Sequence, residues 1–298
     1  MYQRQIGDTK VSAIGLGGMP MSIEGRPEES RSIATVHAAL DAGITLIDTA
    51  DAYHISAAEV GHNESLIARA LASYSGDTAE VLVATKGGHL RPGDGGWTLN
   101  GSPDHLRQAC DASLHRLGVD AIGLYQFHRP DPNVPYEDSI GALRDLLYAG
   151  KIRMAGISNA NPHQIRIAQQ ILGNGLVSVQ NQFSAAFRSS ESELWLCDEL
   201  GIAFLPWSPL GGIRNAADLG SRYQTFAQVA RELDATPQQV TLAWMLAKSP
   251  VVIPIPGSSR PETIRASAAA VDLQFTSEQI SRLDHPEADA SDHASGSR

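Results

Sequence analysis

The sequence predicts an α/β protein of the (β/α)8 (TIM) barrel class, with an N-terminal β-hairpin and an extra C-terminal helix. Eight short segments rich in β-branched residues each precede a segment with helical spacing, and the connections between them are short. Such an alternation is typical of a parallel sheet covered by helices. Eight units within about 250 residues favour a closed barrel over an open, doubly wound sheet.

A dinucleotide-binding Rossmann domain is the main alternative fold, and it needs the spacing Gly-x-Gly-x-x-Gly between a strand and a helix. The glycine-rich segment Ile14-Gly15-Leu16-Gly17-Gly18 lacks that spacing and precedes a loop rather than a helix. Glycines at this place instead indicate close backbone approach at the end of a strand. The barrel therefore remains the prediction.

The N-terminal half of the chain contains the hairpin and the first three strand–helix units. A turn at Gly7-Asp8 predicts a hairpin over residues 2–13. Asn63 is predicted to cap the second helix, and Ser102 followed by Pro103 is a typical start for the third. The predicted strands are 14–18, 45–49 and 81–86, the helices are 27–42, 65–72 and 103–117, and a polar, glycine-rich loop covers 89–101.

The C-terminal half repeats the same scheme and adds a final amphipathic helix. The predicted strands are 122–127, 152–157, 177–182, 203–207 and 251–255, and the helices are 136–149, 162–172, 190–200, 226–233, 237–248, 261–270 and 277–283. One domain is expected to span residues 1–286. Residues 287–298 are small and polar, which predicts a flexible tail.

Composition and charge exclude several classes of protein. The formal net charge of −10 argues against general binding to nucleic acid or to an anionic membrane, so any phosphate must be bound locally. Two cysteines, Cys110 and Cys197, are too few for a disulfide framework, which favours a reducing compartment. The chain shows neither a signal peptide nor an apolar run long enough to span a membrane. These features predict a cytoplasmic protein.

Four ionisable residues are predicted to meet at the C-terminal ends of the barrel strands, where TIM barrels carry out their chemistry. Asp48, Lys86 and His128 end or follow three consecutive strands, and Tyr53 lies in the loop after the first of these. A lone histidine is more often a core imidazole than a functional group, and an aspartate at a strand end is often only a cap. The convergence of four such residues favours a functional site.

The chemistry of the four residues is coherent. A phenol with a pKa near ~10 is a poor acid, and a nearby lysine lowers that pKa by favouring the phenolate. Asp48 would keep Lys86 charged, and His128 would hydrogen-bond the reacting oxygen. The set suits protonation of an oxygen that becomes an alkoxide. A metal site is disfavoured because a third ligand is missing, and a serine hydrolase because Gly-x-Ser-x-Gly is absent.

Linked motifs in one order resemble the aldo-keto reductase family over almost the whole chain. They are Asp48-Thr49-Ala50-Asp51-Ala52-Tyr53, Gly61-His62-Asn63-Glu64, Ala84-Thr85-Lys86, Leu124-Tyr125-Gln126-Phe127-His128, Gly150-Lys151-Ile152-Arg153 with Gly156-Ile157-Ser158-Asn159, and Pro206-Trp207-Ser208-Pro209-Leu210. The resemblance implies reduction of an aldehyde or ketone with NADPH, NAD being the less favoured cofactor. Tyr53 would be the proton donor, with Lys86 and Asp48 depressing its pKa and His128 positioning the carbonyl.

The same resemblance assigns the other site residues. Ser158, Asn159 and Gln180 would hold the nicotinamide carboxamide, and Trp207 would stack on the nicotinamide ring. The pyrophosphate and adenosine phosphate loops would use Ser208, Leu210, Gly211, Gly257, Ser258 and Arg260. The expected substrate pocket comprises Met19, His54, His89, Trp97 and Arg129, and the segment 128–132 is similar to the bacterial branch with pyridoxal reductases and natural-product ketoreductases.

The chain also departs from the family pattern. His54 stands where the family usually has glycine, and it either reaches the substrate or covers the barrel rim. Ala266 and Ser267 replace a common Glu-Asn pair, so the preference for NADP rests largely on Ser258 and Arg260. The alternative function is a non-catalytic NADP-binding sensor or regulatory subunit of the same fold. The physiological substrate and the oligomeric state do not follow from the sequence.

Overall fold

The structure, a computed structural model, describes residues 1–285. Its strands are β1 (Gln3–Ile6), β2 (Thr9–Ser12), β3 (Leu16–Gly17), β4 (Leu46–Asp48), β5 (Leu82–Gly87), β6 (His89–Leu90), β7 (Thr98–Leu99), β8 (Ile122–Phe127), β9 (Ile152–Ser158), β10 (Leu176–Gln180) and β11 (Ala203–Phe204). The predicted flexible tail at 287–298 lies outside the described residues.

The α-helices alternate with the strands as the spacing of apolar residues predicted. They are α1 (Glu29–Asp41), α2 (His62–Ala72), α3 (Pro103–Leu117), α4 (Tyr136–Tyr148), α5 (Pro162–Leu172), α6 (Glu191–Leu200), α7 (Leu219–Arg222), α8 (Gln224–Glu232), α9 (Pro237–Lys248), α10 (Pro261–Ala268) and α11 (Ser277–Asp284). None of the helices within residues 1–285 combines the length and apolarity that a bilayer crossing requires.

Seven parallel strands form one curled sheet in the order β11-β10-β9-β8-β5-β4-β3. The register aligns the strand ends that carry polar residues: Asp48 lies opposite Ala84, Lys86 opposite Gln126, and Ser158 opposite Gln180. Because parallel strands end at the same edge, these side chains are brought to one end of the sheet.

Residues 251–257 close the sheet into a barrel, although they do not form the regular strand that the sequence predicted at 251–255. On one side the Ile253 amide donates to the Phe204 carbonyl at 2.8 Å. On the other side Gly15 and Gly17 donate to the carbonyls of Pro254 and Pro256, each at 3.0 Å. The two prolines have no N–H, so a continuous ladder cannot form. The eighth position is nevertheless filled, and the (β/α)8 barrel is confirmed.

The hairpin β1–β2 covers the N-terminal end of the barrel. Its Ile6 and Val11 are fully buried in a cluster with apolar side chains from most of the barrel strands, such as Leu46, Leu124 and Ile253. Each fully buried side chain of this size contributes about 1.5–3 kcal/mol. The apolar packing therefore fills the hairpin end of the barrel and leaves the opposite end for polar residues.

Helix ends show where sequence signals were sufficient and where they were not. Helix α3 begins with the predicted Ser102 cap, whose hydroxyl accepts from the His105 amide. Helix α2, in contrast, is capped by Gly61 at φ +78° and begins at His62, so Asn63 is not its cap. The Asn63 side chain is buried and donates to the Gly18 carbonyl at 2.9 Å, which fastens the first strand end to α2.

The segment 89–101 was predicted as an irregular loop, but it contains the antiparallel pair β6–β7. His89 lies opposite Leu99, and Leu90 lies opposite Thr98. This pairing folds the segment back over the end of the barrel and brings Trp97 to 4.6 Å from His89 between ring centroids. The loop is thereby an ordered wall of the site.

Candidate active site

A cleft of about 610 Å³ opens at the C-terminal ends of the strands. This volume is in the range of small-molecule sites. Its lining contains most of the residues that the sequence singled out and several that it did not: Gly17, Met19, Pro20, Ile23, Asp48, Tyr53, His89, Trp97, His128, Arg129, Ser158, Asn159, Gln180, Trp207, Ser208, Pro209, Leu210, Gly212, Ile213, Ala216, Ile255 and Gly257.

Lys86 is the centre of the polar floor of the cleft. Its side chain is fully buried at the end of β5, and its Nζ donates to three oxygens. These are Asp48 Oδ2 at 2.7 Å, the Thr49 carbonyl at 2.9 Å and Tyr53 Oη at 3.0 Å. Three N–H donors thus meet three acceptors, so the ammonium is fully satisfied. The sequence correctly predicted that Asp48, Tyr53 and Lys86 would meet.

Two glutamines, one on β8 and one on β10, hold the carboxylate of Asp48. Gln180 Nε2 donates to Asp48 Oδ1 at 2.8 Å, and Gln126 Nε2 approaches the same oxygen at 3.4 Å. Gln126 was not among the predicted site residues. Its signal was the period-two alternation of a strand, because Gln126 lies two residues before His128 and so faces the same side of β8.

Burial decides the protonation of the Tyr53–Lys86 pair. Burial raises the pKa of the Tyr53 phenol, and the nearby Lys86 ammonium offsets this only in part, while Asp48 raises the pKa further. The direction is opposite to the predicted depression of the Tyr53 pKa by Lys86 and Asp48. Burial alone would lower the pKa of Lys86, but Asp48 and Tyr53 raise it. The pair is therefore a neutral phenol beside an ammonium, in which the phenol retains its proton.

His128 is neutral in this environment. Burial, followed by the charge of the nearby Lys86 ammonium and by the neighbouring His89 and Arg129, holds the pKa of His128 well below its usual range. The ring lies edge-on to Tyr53, with 5.8 Å between ring centroids. Its Nδ1 is buried and has no partner among residues 1–285. A neutral imidazole next to the phenol can donate one hydrogen bond to an oxygen in the cleft.

His89 gives the stability of the fold a predictable dependence on pH. Burial, helped by Arg129, lowers the pKa of His89 to about 4 from the ordinary value of 6.5. The unfolded chain therefore takes up a proton between about pH 6.5 and pH 4 that the folded chain does not. The associated stability is present above pH 6.5 and is lost as the pH falls through this window.

We expect the free energy of unfolding, measured by urea denaturation, to decline across that window. In the His89→Gln variant the free energy of unfolding should decline less steeply, since the glutamine cannot titrate. The slope should not vanish, because the pKa of His128 is shifted in the same direction. Equal slopes in the two proteins would contradict the assignment to His89.

The outer wall of the cleft is aromatic and is held by an arginine that was not among the predicted site residues. The Arg91 guanidinium lies 4.7 Å from the ring centroid of Trp97 and pairs with Glu24 at 2.5 Å. It also donates to the carbonyl of His54. Arg91 therefore joins the loops after β3, β4 and β5. The His89 ring lies between Trp97, to which it is tilted, and His128, which it meets edge-on, so all three rings are on one side of the cleft.

His54 does not belong to the cleft lining. Its side chain is 1% exposed and its Nδ1 is buried without a partner in the described part of the chain. This placement corrects the prediction that His54 contacts the substrate. The loop after β4 turns the side chain into the protein, where Arg91 fixes the His54 backbone. The alternative, that His54 covers the barrel rim, agrees with its position.

The groups predicted to hold a nicotinamide lie together on the wall opposite Tyr53. Asn159 Nδ2 donates to the His128 carbonyl and to Ser158 Oγ, each at 3.0 Å, and Ser158 Oγ donates to the Gln180 carbonyl at 2.7 Å. Since Gln180 Nε2 is engaged by Asp48, its Oε1 is the atom it can offer to a carboxamide. The indole Nε1 of Trp207 is buried and unpartnered within residues 1–285.

Backbone conformation supports a ligand site on this wall. Asn159 and Ser208 are two of the three non-glycine residues in the described chain with positive φ, at +58° and +49°. Such conformations cost about 1–3 kcal/mol each and cluster at functional sites. At the neighbouring Gly17, a Cβ atom would lie 2.9 Å from the Ile255 carbonyl oxygen. These features fit a flat nicotinamide ring and a closely approaching backbone.

Three predicted cofactor residues lie beyond the cleft lining. Gly211, at φ +83°, faces a small neighbouring pocket. Ser258 is 3% exposed and its hydroxyl donates to the Arg260 carbonyl at 3.1 Å. Arg260 is the N-cap residue of α10, and its side chain is 62% exposed. Its Nε lies 3.7 Å from Glu262 Oε1, which is a weak and exposed ion pair. The other donors of the guanidinium can meet a phosphate at the helix N-terminus, which is a favourable place for an anion.

Comparisons with known proteins agree with this geometry. The family model described as "Aldo/keto reductase family" matches residues 13–287. The chain is 36% identical over 284 residues to an uncharacterized oxidoreductase of Schizosaccharomyces pombe, covering 94% of this chain and 88% of the relative. A glycerol dehydrogenase structure from Gluconobacter oxydans is similar, with a TM-score of 0.81, 26% identity and coverage of 95% of this chain and 94% of that one.

A second similar structure is an aldo/keto reductase from Klebsiella pneumoniae in complex with NADP and acetate. Its TM-score is 0.79 and its identity is 25%, with coverage of 95% of this chain and 94% of that one. A match over this extent establishes the family. The chain belongs to the aldo/keto reductase family, whose members are oxidoreductases that use nicotinamide cofactors and act on small carbonyl compounds.

Proposed function

We propose that this protein reduces an aldehyde or ketone to the alcohol with NADPH. The observation that carries the proposal is the neutral phenol of Tyr53, held 3.0 Å from the buried ammonium of Lys86 at the floor of the cleft. A proton donor with a cation behind it is suited to an oxygen on which negative charge develops. The NADP-bound relative from Klebsiella pneumoniae supports the choice of cofactor.

In the proposed reaction, bound NADPH supplies the hydride that reaches the carbonyl carbon. Tyr53 gives its phenolic proton to the carbonyl oxygen, and the O–H bond of the phenol breaks as the new O–H bond forms. The Lys86 ammonium, already within hydrogen-bonding distance, then stabilises the negative charge of the phenolate. Asp48 acts through Lys86, because its carboxylate keeps the ammonium charged and aimed at Tyr53.

His128 would orient the substrate. A neutral imidazole beside Tyr53 can donate a hydrogen bond to the same carbonyl oxygen without adding a second positive charge. On the opposite wall, Ser158, Asn159 and Gln180 would hold the carboxamide, and Trp207 would support the nicotinamide ring. These groups would present one face of the ring to the substrate.

Steady-state oxidation of NADPH with a panel of aldehydes and ketones tests the proposal. Turnover with at least one carbonyl compound is the expected result. Tight NADPH binding without turnover of any of them would instead favour a non-catalytic NADP-binding sensor. Repeating the panel with NADH measures the cofactor preference directly.

Arg260 is expected to distinguish NADPH from NADH. Its exposed guanidinium at the start of α10 can form a charge-assisted bond with the 2′-phosphate that only NADPH carries. We expect Arg260→Ala to raise the Kd for NADPH by about 10- to 100-fold. The Kd for NADH should change little.

Arg265→Ala is the matched control, because Arg265 is another exposed arginine of α10. Titration of both variants with both cofactors gives four dissociation constants. Equal losses for NADPH and NADH in Arg260→Ala would mean that Arg260 does not read the phosphate, and a selective loss in Arg265→Ala would transfer the role to Arg265.

A further inference from the structure

Arg129 is a cation of the cleft that has no counter-ion in the described part of the chain. It lines the cleft next to His128, and its side chain is partly buried. Its one hydrogen bond within residues 1–285 runs from Nη2 to Asn159 Oδ1 at 3.1 Å. A guanidinium has five N–H donors. Most of the donors of Arg129 are therefore left for something other than the protein.

Three other cations with little exposed side-chain surface are each paired with a carboxylate. Lys86 pairs with Asp48 at 2.7 Å, Arg91 with Glu24 at 2.5 Å, and Arg116 with Glu64 at 2.6 Å. Burial lowers the pKa of Arg129, with no carboxylate acting against it. Desolvating a charge without a partner is unfavourable, so an unpaired cation in a cleft indicates a functional role.

The charges of the cleft leave Arg129 uncompensated. Among residues 1–285, the one carboxylate in the lining is Asp48, and Lys86 neutralises it. His89 and His128 are both neutral near pH 7, since their pKa values are lowered, in part by the charge of Arg129 itself. The cleft therefore carries one net positive charge within a chain whose formal net charge is −10.

The guanidinium is also held in place. Asn159, its partner, has a positive φ and is itself fixed through bonds to the His128 carbonyl and to Ser158. A fixed planar fork is suited to a carboxylate, which it can meet with two parallel hydrogen bonds. The rings of His89 and Trp97 lie on the neighbouring wall, where a flat or apolar substrate body can pack.

We propose that the substrates of this enzyme are carbonyl compounds that carry a carboxylate, and that Arg129 is the residue that selects them. The carbonyl oxygen would lie at Tyr53 and His128 while the carboxylate meets the Arg129 guanidinium. This inference rests on the proposed reductase function and narrows its substrate class. Arg129 is a specificity-determining residue in this scheme and takes no part in proton transfer.

Matched pairs of substrates test the proposal. The 2-, 3- and 4-carboxybenzaldehydes place a carboxylate at three distances from the aldehyde, and their methyl esters keep the same ring without the charge. For at least one isomer we expect kcat/KM for the acid to exceed that for the ester by about tenfold or more. The acid should owe this advantage to a lower KM than that of its ester, and the difference should become smaller as salt is added.

Variants assign the preference to Arg129. Arg129→Gln should bring the acid-to-ester ratio close to one, while Arg129→Lys should retain part of it, because the charge remains and the planar fork is lost. The matched control is Arg214→Gln, which removes the same charge from an exposed residue beside the cleft-lining Ile213. It should keep the wild-type ratio. The Kd for NADPH in Arg129→Gln should stay near the wild-type value.

Three results would overturn the proposal while leaving the reductase function intact. The first is turnover of the esters with no advantage for any acid. The second is an acid preference that survives in Arg129→Gln. The third is a large loss of NADPH affinity in that variant, which would assign Arg129 to the cofactor instead.

Absence of turnover with every aldehyde would overturn the proposed function, and binding then tests Arg129 by itself. Benzoate binding can be followed through the fluorescence of Trp97 and Trp207, which both line the cleft. Arg129→Gln is expected to weaken benzoate at least tenfold, and equal binding by the two proteins would overturn the assignment.

Discussion

Tyr53→Phe is expected to lower kcat for carbonyl reduction by about 10²–10⁴-fold while the Kd for NADPH stays within about twofold of wild type. Phenylalanine keeps the ring that packs against His128 but removes the oxygen bonded to Lys86. Binding in the ground state should change little, whereas the developing alkoxide loses its proton donor. Steady-state kinetics with a reactive aldehyde and fluorescence titration with NADPH measure the two quantities.

Tyr125→Phe is the matched control for this prediction. Tyr125 is a fully buried tyrosine of β8 whose hydroxyl lies outside the cleft, at 3.5 Å from the Leu106 carbonyl. Removing its hydroxyl should leave kcat near the wild-type value. If Tyr53→Phe retained wild-type kcat, the proton would have to come from another group, and His128 would be the first to examine.

Lys86→Met is expected to abolish turnover and also to lower the free energy of unfolding by about 3–5 kcal/mol. The lysine is fully buried and satisfies Asp48, Thr49 and Tyr53 together. Methionine fills most of the same volume, so the cost arises mainly from a buried carboxylate that has lost its cation. Urea denaturation followed by circular dichroism measures the change.

The double variant Asp48→Asn with Lys86→Met separates stability from catalysis. With both charges removed, the uncompensated carboxylate is gone, and much of the lost stability should return. Activity should not return, because Tyr53 would still lack a cation to stabilise the phenolate. If the single Lys86→Met variant were as stable as the wild type, the loss of Lys86 would not leave an uncompensated charge on Asp48.

Local signals in the sequence were strong where a short segment decides its own conformation. The predicted start and end of α3 agree with the structure because Ser102, Pro103 and Gly118 determine the helix ends through nearby backbone groups. The strand ends next to Asp48 and Lys86 were placed to within one residue for a similar reason. An apolar run stops where the chain leaves the core, and parallel strands then bring those ends together.

Local sequence signals were misleading where residues far away in the chain determine the conformation. Asn63 has the chemistry of a helix cap, but Gly18 and Ser22 occupy its side chain from another loop. His54 follows Tyr53 directly, yet the loop turns it away from the cleft. The residues 251–255 have the composition of a strand, and their prolines prevent a regular ladder. Each outcome depends on partners that are remote in sequence.

The sequence by itself determined the alternation of strands and helices, the residues at the strand ends and the family, because these follow from periodicity and from motifs of short span. Only the tertiary structure decided the direction of the Tyr53 pKa shift, the support of Asp48 by Gln126 and the unpaired state of Arg129. Burial and distance set the energy of a charge, and both arise only when strands distant in sequence pack around one cleft.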